Sequence, residues 1–74
     1  MNQTAVITGG GSGVGQSIAL KLAQQNWRVF ILGRRAETLQ ETIRLAGPNA
    51  SCITHHVCDI ADATAVALIG PLAG

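Results

Sequence analysis

Five of the seven residues from Gly9 to Gly15 are glycine, and the two exceptions are Ser12 and Val14. Such a run suits one kind of chemistry, provided it opens a helix. The first N–H groups of a helix have no internal partner, and the helix dipole places partial positive charge beside them. An anion such as a phosphate can sit there if no side chain blocks its approach. Gly9, Gly11, Gly13 and Gly15 remove those side chains and permit positive φ angles, and Ser12 adds a hydroxyl donor. Further along the chain, Gly33 is followed at once by Arg34 and Arg35, two cations able to meet a second anionic group.

Metal chemistry is a weaker reading. His55, His56, Cys52 and Cys58 lie close in sequence, but in a strand His55 faces away from the other three. Cys52 and Cys58, six residues apart, are separated by about 20 Å in an extended chain. They can share neither an ion nor a disulfide, and two reduced thiols are expected.

These residues need elements to position them, and the sequence pattern alternates cleanly. Gln3–Thr8, with the apolar run Ala5, Val6 and Ile7, reads as a short buried strand that stops at the glycines. From Val14 the period becomes helical: Val14, Ile18 and Leu22 form an i, i+4 stripe widened by Ala19 and Ala23. Gln16, Lys21, Gln24 and Gln25 fall mostly on the wetter side, and Asn26, which tolerates a left-handed conformation, is the expected stop. Arg28–Leu32 contains Val29, Phe30, Ile31 and Leu32, a continuous apolar run of the kind covered on both faces, and Gly33 ends it.

Arg35–Leu45 reads as a second helix, with Leu39 and Ile43 inward and Glu37, Gln40, Glu41 and Arg44 outward. Gly47-Pro48-Asn49 is a turn, and Ser51–Cys58 a third, more polar strand. Asp62 is a suitable N-cap for a last helix over Ala63–Ile69, which Gly70-Pro71 ends. Strand and helix alternating at these spacings predict an α/β fold of parallel βαβ units. Right-handed crossovers put the first two helices on one face of the sheet. The other face has little cover, which suggests that further elements complete it.

Composition narrows the class. Hydrophobic residues make up 47% of the 74 residues and charged residues 12%, which fits a buried core rather than a disordered chain. A net charge of +1 gives no electrostatic basis for binding nucleic acid or anionic lipid. The apolar stretches are too short and too broken by glycine to span a bilayer. Met1–Gln3 lacks the charged start of a signal peptide, so a cytoplasmic location is expected. A core this small, with no disulfide or metal, is marginal by itself.

Three phosphate loops compete for the glycine run. The dinucleotide fingerprint with glycine at i, i+2 and i+5 occurs in no frame. The triphosphate loop comes close at Gly10 and Gly15, but Gln16 stands where its lysine must be. Thr8-Gly9-Gly10-Gly11-Ser12-Gly13-Val14-Gly15 fits the third, Thr-Gly-x-x-x-Gly-x-Gly, and resembles the short-chain dehydrogenase/reductase family. The resemblance covers nearly the whole chain and implies the N-terminal βαβαβα part of a Rossmann-type doubly wound parallel sheet. It further implies that Gly9, Ser12, Gly13 and Val14 contact a dinucleotide, chiefly at its pyrophosphate, and that Gly15 lets the helix pack closely on the strand. Residues 1–74 then form a partial NAD(P)-binding domain.

The end of the second strand decides between NAD and NADP. NAD binders place a carboxylate for the ribose 2′-hydroxyl about 20 residues beyond the glycines. Here Gly33 occupies that place, eighteen residues after Gly15, with Arg34 and Arg35 following. A guanidinium can take a phosphate through two parallel bonds, so NADP is expected, with Arg34 on the 2′-phosphate and Arg35 assisting. Asp59-Ile60 matches the family's Asp-plus-apolar pair beside the adenine, which implies a hydrogen bond from the adenine amino group to Asp59.

The family's catalytic serine and Tyr-x-x-x-Lys pair are not in this sequence, which has no tyrosine and whose single lysine is Lys21. The expectation is therefore the N-terminal segment of a short-chain oxidoreductase that moves hydride between NADP(H) and a carbonyl or alcohol. The alternative is a non-catalytic dinucleotide-binding or strand-pairing module that associates with a second chain through an exposed edge of the first strand.

Overall fold

The computed structural model describes residues 3–9, 11, 13–59 and 65–69. Its elements in chain order are β1 (Thr4–Thr8), α1 (Gly13–Gln24), β2 (Arg28–Gly33), α2 (Ala36–Leu45), a 3-10 turn over Gly47–Cys52, β3 (Ile53–Val57) and β4 (Ala65–Ile69). The sheet order is β3-β2-β1-β4. β1, β2 and β3 are parallel, with Thr8 opposite Leu32 and Gly33 opposite Val57.

Parallel strands require crossovers, and α1 and α2 supply them. Both pack on one face, over Ala5 and Ile7 of β1, Val29 and Ile31 of β2 and Ile53 of β3, all buried. The expected stripe of α1 is rotated. Its buried residues are Gly15, Ala19 and Ala23, while Ile18 and Leu22 are only partly buried and Val14 is 66% exposed. Small residues at i, i+4 and i+8 let the helix axis come close to the sheet, and the larger side chains then fill the flanks. On α2, Leu39 is buried as expected, but the second buried position is Thr42.

α1 ends in a Schellman motif. Asn26 adopts φ 65°, its N–H donates to Ala23 O at 3.0 Å, and Trp27 N–H donates to Leu22 O at 3.1 Å. Trp27 then packs against the core. The third strand is shorter than Ser51–Cys58, because Gly47–Cys52 turns as a 3-10 helix with Pro48 near its start.

The last element departs from expectation. Ala65–Ile69 is a strand antiparallel to β1, with Val6 opposite Ala67, and not the end of a helix. The seven residues of the expected helix, Ala63–Ile69, are too few to offset helix nucleation. The side of β1 away from β2 offers backbone partners instead, and the Thr8 hydroxyl clamps the start of β4. Ala65 N–H donates to Thr8 Oγ1 at 2.8 Å, and Thr8 Oγ1 donates to Ala65 O at 3.4 Å. The sheet is therefore mixed, and β1 is a central strand rather than the exposed edge expected for self-association; the edges are β3 and β4. Asp62, the proposed N-cap, lies outside the described residues.

The face of the sheet away from α1 and α2 carries half-buried Val6 and Phe30 and exposed Thr54 and His56. Phe30 and His56 stack there, with ring centroids 6.4 Å apart. Cys52 and Cys58 are free thiols. No helix among the described residues is long and apolar enough to cross a membrane.

The close seat of α1 predicts that Ala19→Leu costs about 1–3 kcal/mol through overpacking, read as a lower midpoint in chemical denaturation. At the helix end, Asn26→Ala should cost about 1 kcal/mol because alanine pays for the left-handed conformation. Asn26→Gly should show no such loss.

Candidate functional site

The site is the line of strand ends where β1, β2 and β3 stop together. Two backbone bonds align them beyond the ladder: Gly9 N–H donates to Leu32 O at 2.8 Å, and Cys58 N–H donates to Gly33 O at 2.7 Å. With neighbouring parallel strands about 4.8 Å apart, Gly9, the Gly33–Arg34 step and Cys58–Asp59 lie along roughly 10 Å of one crest. Ligands of open α/β sheets bind at this carboxyl end.

The glycines of the run have different tasks. Gly9 takes φ 70°, a conformation that costs other residues about 1 kcal/mol or more, and its N–H is the bond to Leu32. Gly11 is required by a neighbour: a Cβ there would lie 2.3 Å from Thr38 Oγ1 on α2. Gly15 is buried on α1, in keeping with a close approach of helix to sheet. Gly13 differs from all of these. It is exposed, opens α1, and a Cβ on it would meet, among the described residues, nothing within 4 Å beyond its own chain neighbours and helix backbone. No described neighbour requires glycine at 13.

Charge at the crest is arranged for an anion. The first turn of α1 contains no acidic residue to compete for the positive end of the dipole. Arg34 and Arg35 are both exposed, immediately after β2, with Arg35 in the N-cap position of α2. Asp59 is exposed, two residues beyond the end of β3. Val14, 66% exposed, borders the open space above Gly13. Gly10, Ser12 and Ile60 lie outside the described residues.

Away from the crest, Arg44 Nε donates to Glu41 Oε2 at 2.7 Å and Arg44 Nη2 to Glu41 Oε1. This bond and the guanidinium charge hold the Glu41 carboxyl below its ordinary range. The pair neutralises itself at the surface of α2, away from the crest.

Three residues that sequence reasoning left aside join the elements of the site. Gln16 Nε2 donates to Thr42 Oγ1 at 3.2 Å, Thr42 Oγ1 donates to Thr38 O at 3.2 Å, and Thr38 Oγ1 donates to Arg35 O at 3.0 Å. The signal was Thr42, a polar residue three positions after Leu39 on the buried stripe of α2. Gln16, in the lysine place of a triphosphate loop, commits its amide to α2. At the opposite end of the strands, Trp27, Arg28, Phe30 and Cys52 border a separate open cleft of about 460 Å³.

Comparison with known proteins accords with this geometry. The family model described as short chain dehydrogenase matches residues 3–69. Oxidoreductase asL5 of Sarocladium schorii is 40% identical over 60 residues, 81% of this chain and 24% of its own length. An uncharacterized short-chain type dehydrogenase/reductase of Sinorhizobium fredii is 39% identical over 72 residues, 97% of this chain and 26% of its own. Among solved structures, a metagenomic short-chain oxidoreductase in complex with NADP superposes with TM-score 0.70 at 35% identity, over 77% of this chain and 26% of that one. The apo glucose dehydrogenase of Caenorhabditis elegans gives TM-score 0.71 at 32% identity, over 77% and 25%. The chain thus spans about a quarter of the length of these relatives. With the family model matched over nearly all its residues, and with the strand ends and glycine run arranged as described, this chain belongs to the short chain dehydrogenase family.

Proposed function

We propose that residues 1–74 provide the adenosine, ribose and pyrophosphate half of an NADP(H) site in a short-chain oxidoreductase. The observation that carries this reading is Gly13: a glycine that no described neighbour requires, at the start of a helix, with open space where its side chain would be. A pyrophosphate fits that space, held by the unpaired N–H groups of α1 and by its dipole. Gly9, Gly11, Ser12, Val14 and Gly15 complete the loop around it.

Arg34 takes the ribose 2′-phosphate through charge-assisted bonds, with Arg35 beside it. Gly33 leaves that corner without a carboxylate that would repel the phosphate or hold a 2′-hydroxyl in its place. Asp59 accepts a hydrogen bond from the adenine amino group, and Ile60 packs against the ring. The NADP-bound short-chain oxidoreductase and a polyketide ketoreductase solved with NADPH, 31% identical to this chain with TM-score 0.70, support this choice of dinucleotide.

When bound, the dinucleotide supplies the hydride chemistry. The residues of this chain bind and orient its adenosine half; they do not move the proton that accompanies hydride transfer to a carbonyl. That step needs an acid, and in the family it is a tyrosine lowered in pKa by a lysine. This chain has no tyrosine, and Lys21 is on α1 well away from the crest. The parent reaction is therefore assigned to a longer polypeptide of which this is the cofactor-binding portion.

Three variants test the reading by calorimetric titration of the chain with NADP and NAD. Arg34→Ala should weaken NADP at least about tenfold, the worth of one charge-assisted hydrogen bond, while changing NAD little; equal losses would remove the 2′-phosphate assignment. Gly33→Asp should invert the preference toward NAD. Its Cβ meets Leu39 Cδ2 at 3.1 Å, so that buried side chain must shift by a few tenths of an ångström and some loss of stability accompanies the switch. Gly13→Val should abolish binding of both dinucleotides while stability stays within about 0.5 kcal/mol of the unmutated chain. Retained affinity would show that the space above Gly13 is not a pyrophosphate site.

A further inference from the structure

Arg34 can discriminate NADP from NAD only if it is held at a fixed place relative to the glycine loop. The two dinucleotides differ by the 2′-phosphate alone. A shift of Arg34 against the pyrophosphate cradle is therefore felt by NADP and not by NAD. Two-pronged guanidinium bonds are geometrically demanding, and a misplacement on the order of 1 Å at a binding group is costly. Yet Arg34 and Arg35 lie on an exposed connection, and Arg35, the N-cap of α2, makes no side-chain capping bond. The Cys58 N–H to Gly33 O bond fixes the strand end beside that corner, and the start of α2 on its other side must be held as well.

Two contacts do so, one turn apart on α2. The first is Thr38 against Gly11. A Cβ on Gly11 would lie 2.3 Å from Thr38 Oγ1, 2.6 Å from its Cβ and 3.1 Å from its backbone carbonyl carbon. The first turn of α2 therefore rests on the loop with no room for a methyl group. The same Thr38 hydroxyl donates to Arg35 O at 3.0 Å, which ties the backbone next to Arg34 to the point of contact. The second is the buried bridge from α1: Gln16 Nε2 donates to Thr42 Oγ1, and that hydroxyl donates onward to Thr38 O. Thr42 is fully buried, which shields this bridge from water. Leu39, between the two contacts and buried in the core, seats α2 on the sheet, and the two contacts along its axis set its distance from the loop.

We propose that Thr38 is a positioning residue for dinucleotide selectivity: it seats the segment carrying Arg34 and Arg35 on the glycine loop at Gly11, and the Gln16–Thr42 bridge braces that seat. The proposal rests on the NADP reading above. It also gives Gly11 a reason distinct from that of Gly13, since Gly11 makes room for α2 and Gly13 for a ligand.

The test measures NADP and NAD affinities of the 74-residue chain carrying Thr38→Ala, Thr38→Ser or Gln16→Leu, beside Arg34→Ala as reference. Thr38→Ala should weaken NADP by about tenfold with NAD within about twofold, and Thr38→Ser, which keeps the hydroxyl, should restore the preference. Gln16→Leu, on the other helix, should lower NADP selectively by a smaller factor. This variant keeps the test decisive if Thr38→Ala fails to fold, as judged from its amide spectrum. If Thr38→Ala and Gln16→Leu weaken both dinucleotides equally, or neither, while Arg34→Ala remains selective, the positioning role is wrong and the NADP site stands. If Arg34→Ala is itself unselective, or the unmutated chain does not prefer NADP, the NADP reading fails and this inference falls with it.

Discussion

The alignment of three parallel strand ends underlies the rest of this molecule. Gly9 N–H to Leu32 O and Cys58 N–H to Gly33 O extend the ladder one step past the strands, so that the chain leaves β1, β2 and β3 at one level. Each of the first two exits leads into a helix. The positive ends of α1 and α2 therefore arrive at the same edge of the sheet, with Arg34 and Arg35 between them. The gathering of helix starts at this crest follows from topology: parallel strands with helical crossovers have no other way to place them.

Within that crest, glycine means four different things. Gly9 is a backbone conformation, Gly11 a helix contact, Gly13 an open space and Gly15 a buried face against the sheet. The distinctions have physical consequences, because a side chain at 9 strains the backbone, at 11 pushes α2 away, and at 13 meets no described neighbour beyond its own helix. A run of glycines read as a string gives all of them the same role. Their neighbours in space separate them.

Much of the fold was legible before any coordinates. The apolar runs Ala5-Val6-Ile7 and Val29-Phe30-Ile31 gave strands, Asn26 gave the helix stop, and Leu39 gave the inner side of α2, each because the signal is local to a few residues. Less legible were the elements whose form depends on a distant partner. Ala65–Ile69 has apolar residues that suit a helix or a strand, and it becomes a strand because β1 and the Thr8 hydroxyl, far away in sequence, offer it bonds. Val14 looked like a core residue by spacing and is exposed, because Gly15, Ala19 and Ala23 let α1 sit closest to the sheet on their side.

What the sequence by itself determined is the chemistry at each position: glycines at a helix start, two arginines directly after the second strand, and an aspartate after the third. Residue types and spacings carry that information because charge, donor capacity and the absence of a side chain are properties of single residues. What only the tertiary structure decided is how those positions are held together. Gln16 and Thr42 are 26 residues apart and Gly11 and Thr38 are 27, and no local pattern couples them. They meet because α1 and α2 are packed side by side on one face of the sheet, where a buried hydroxyl finds a partner and a methyl group has no room.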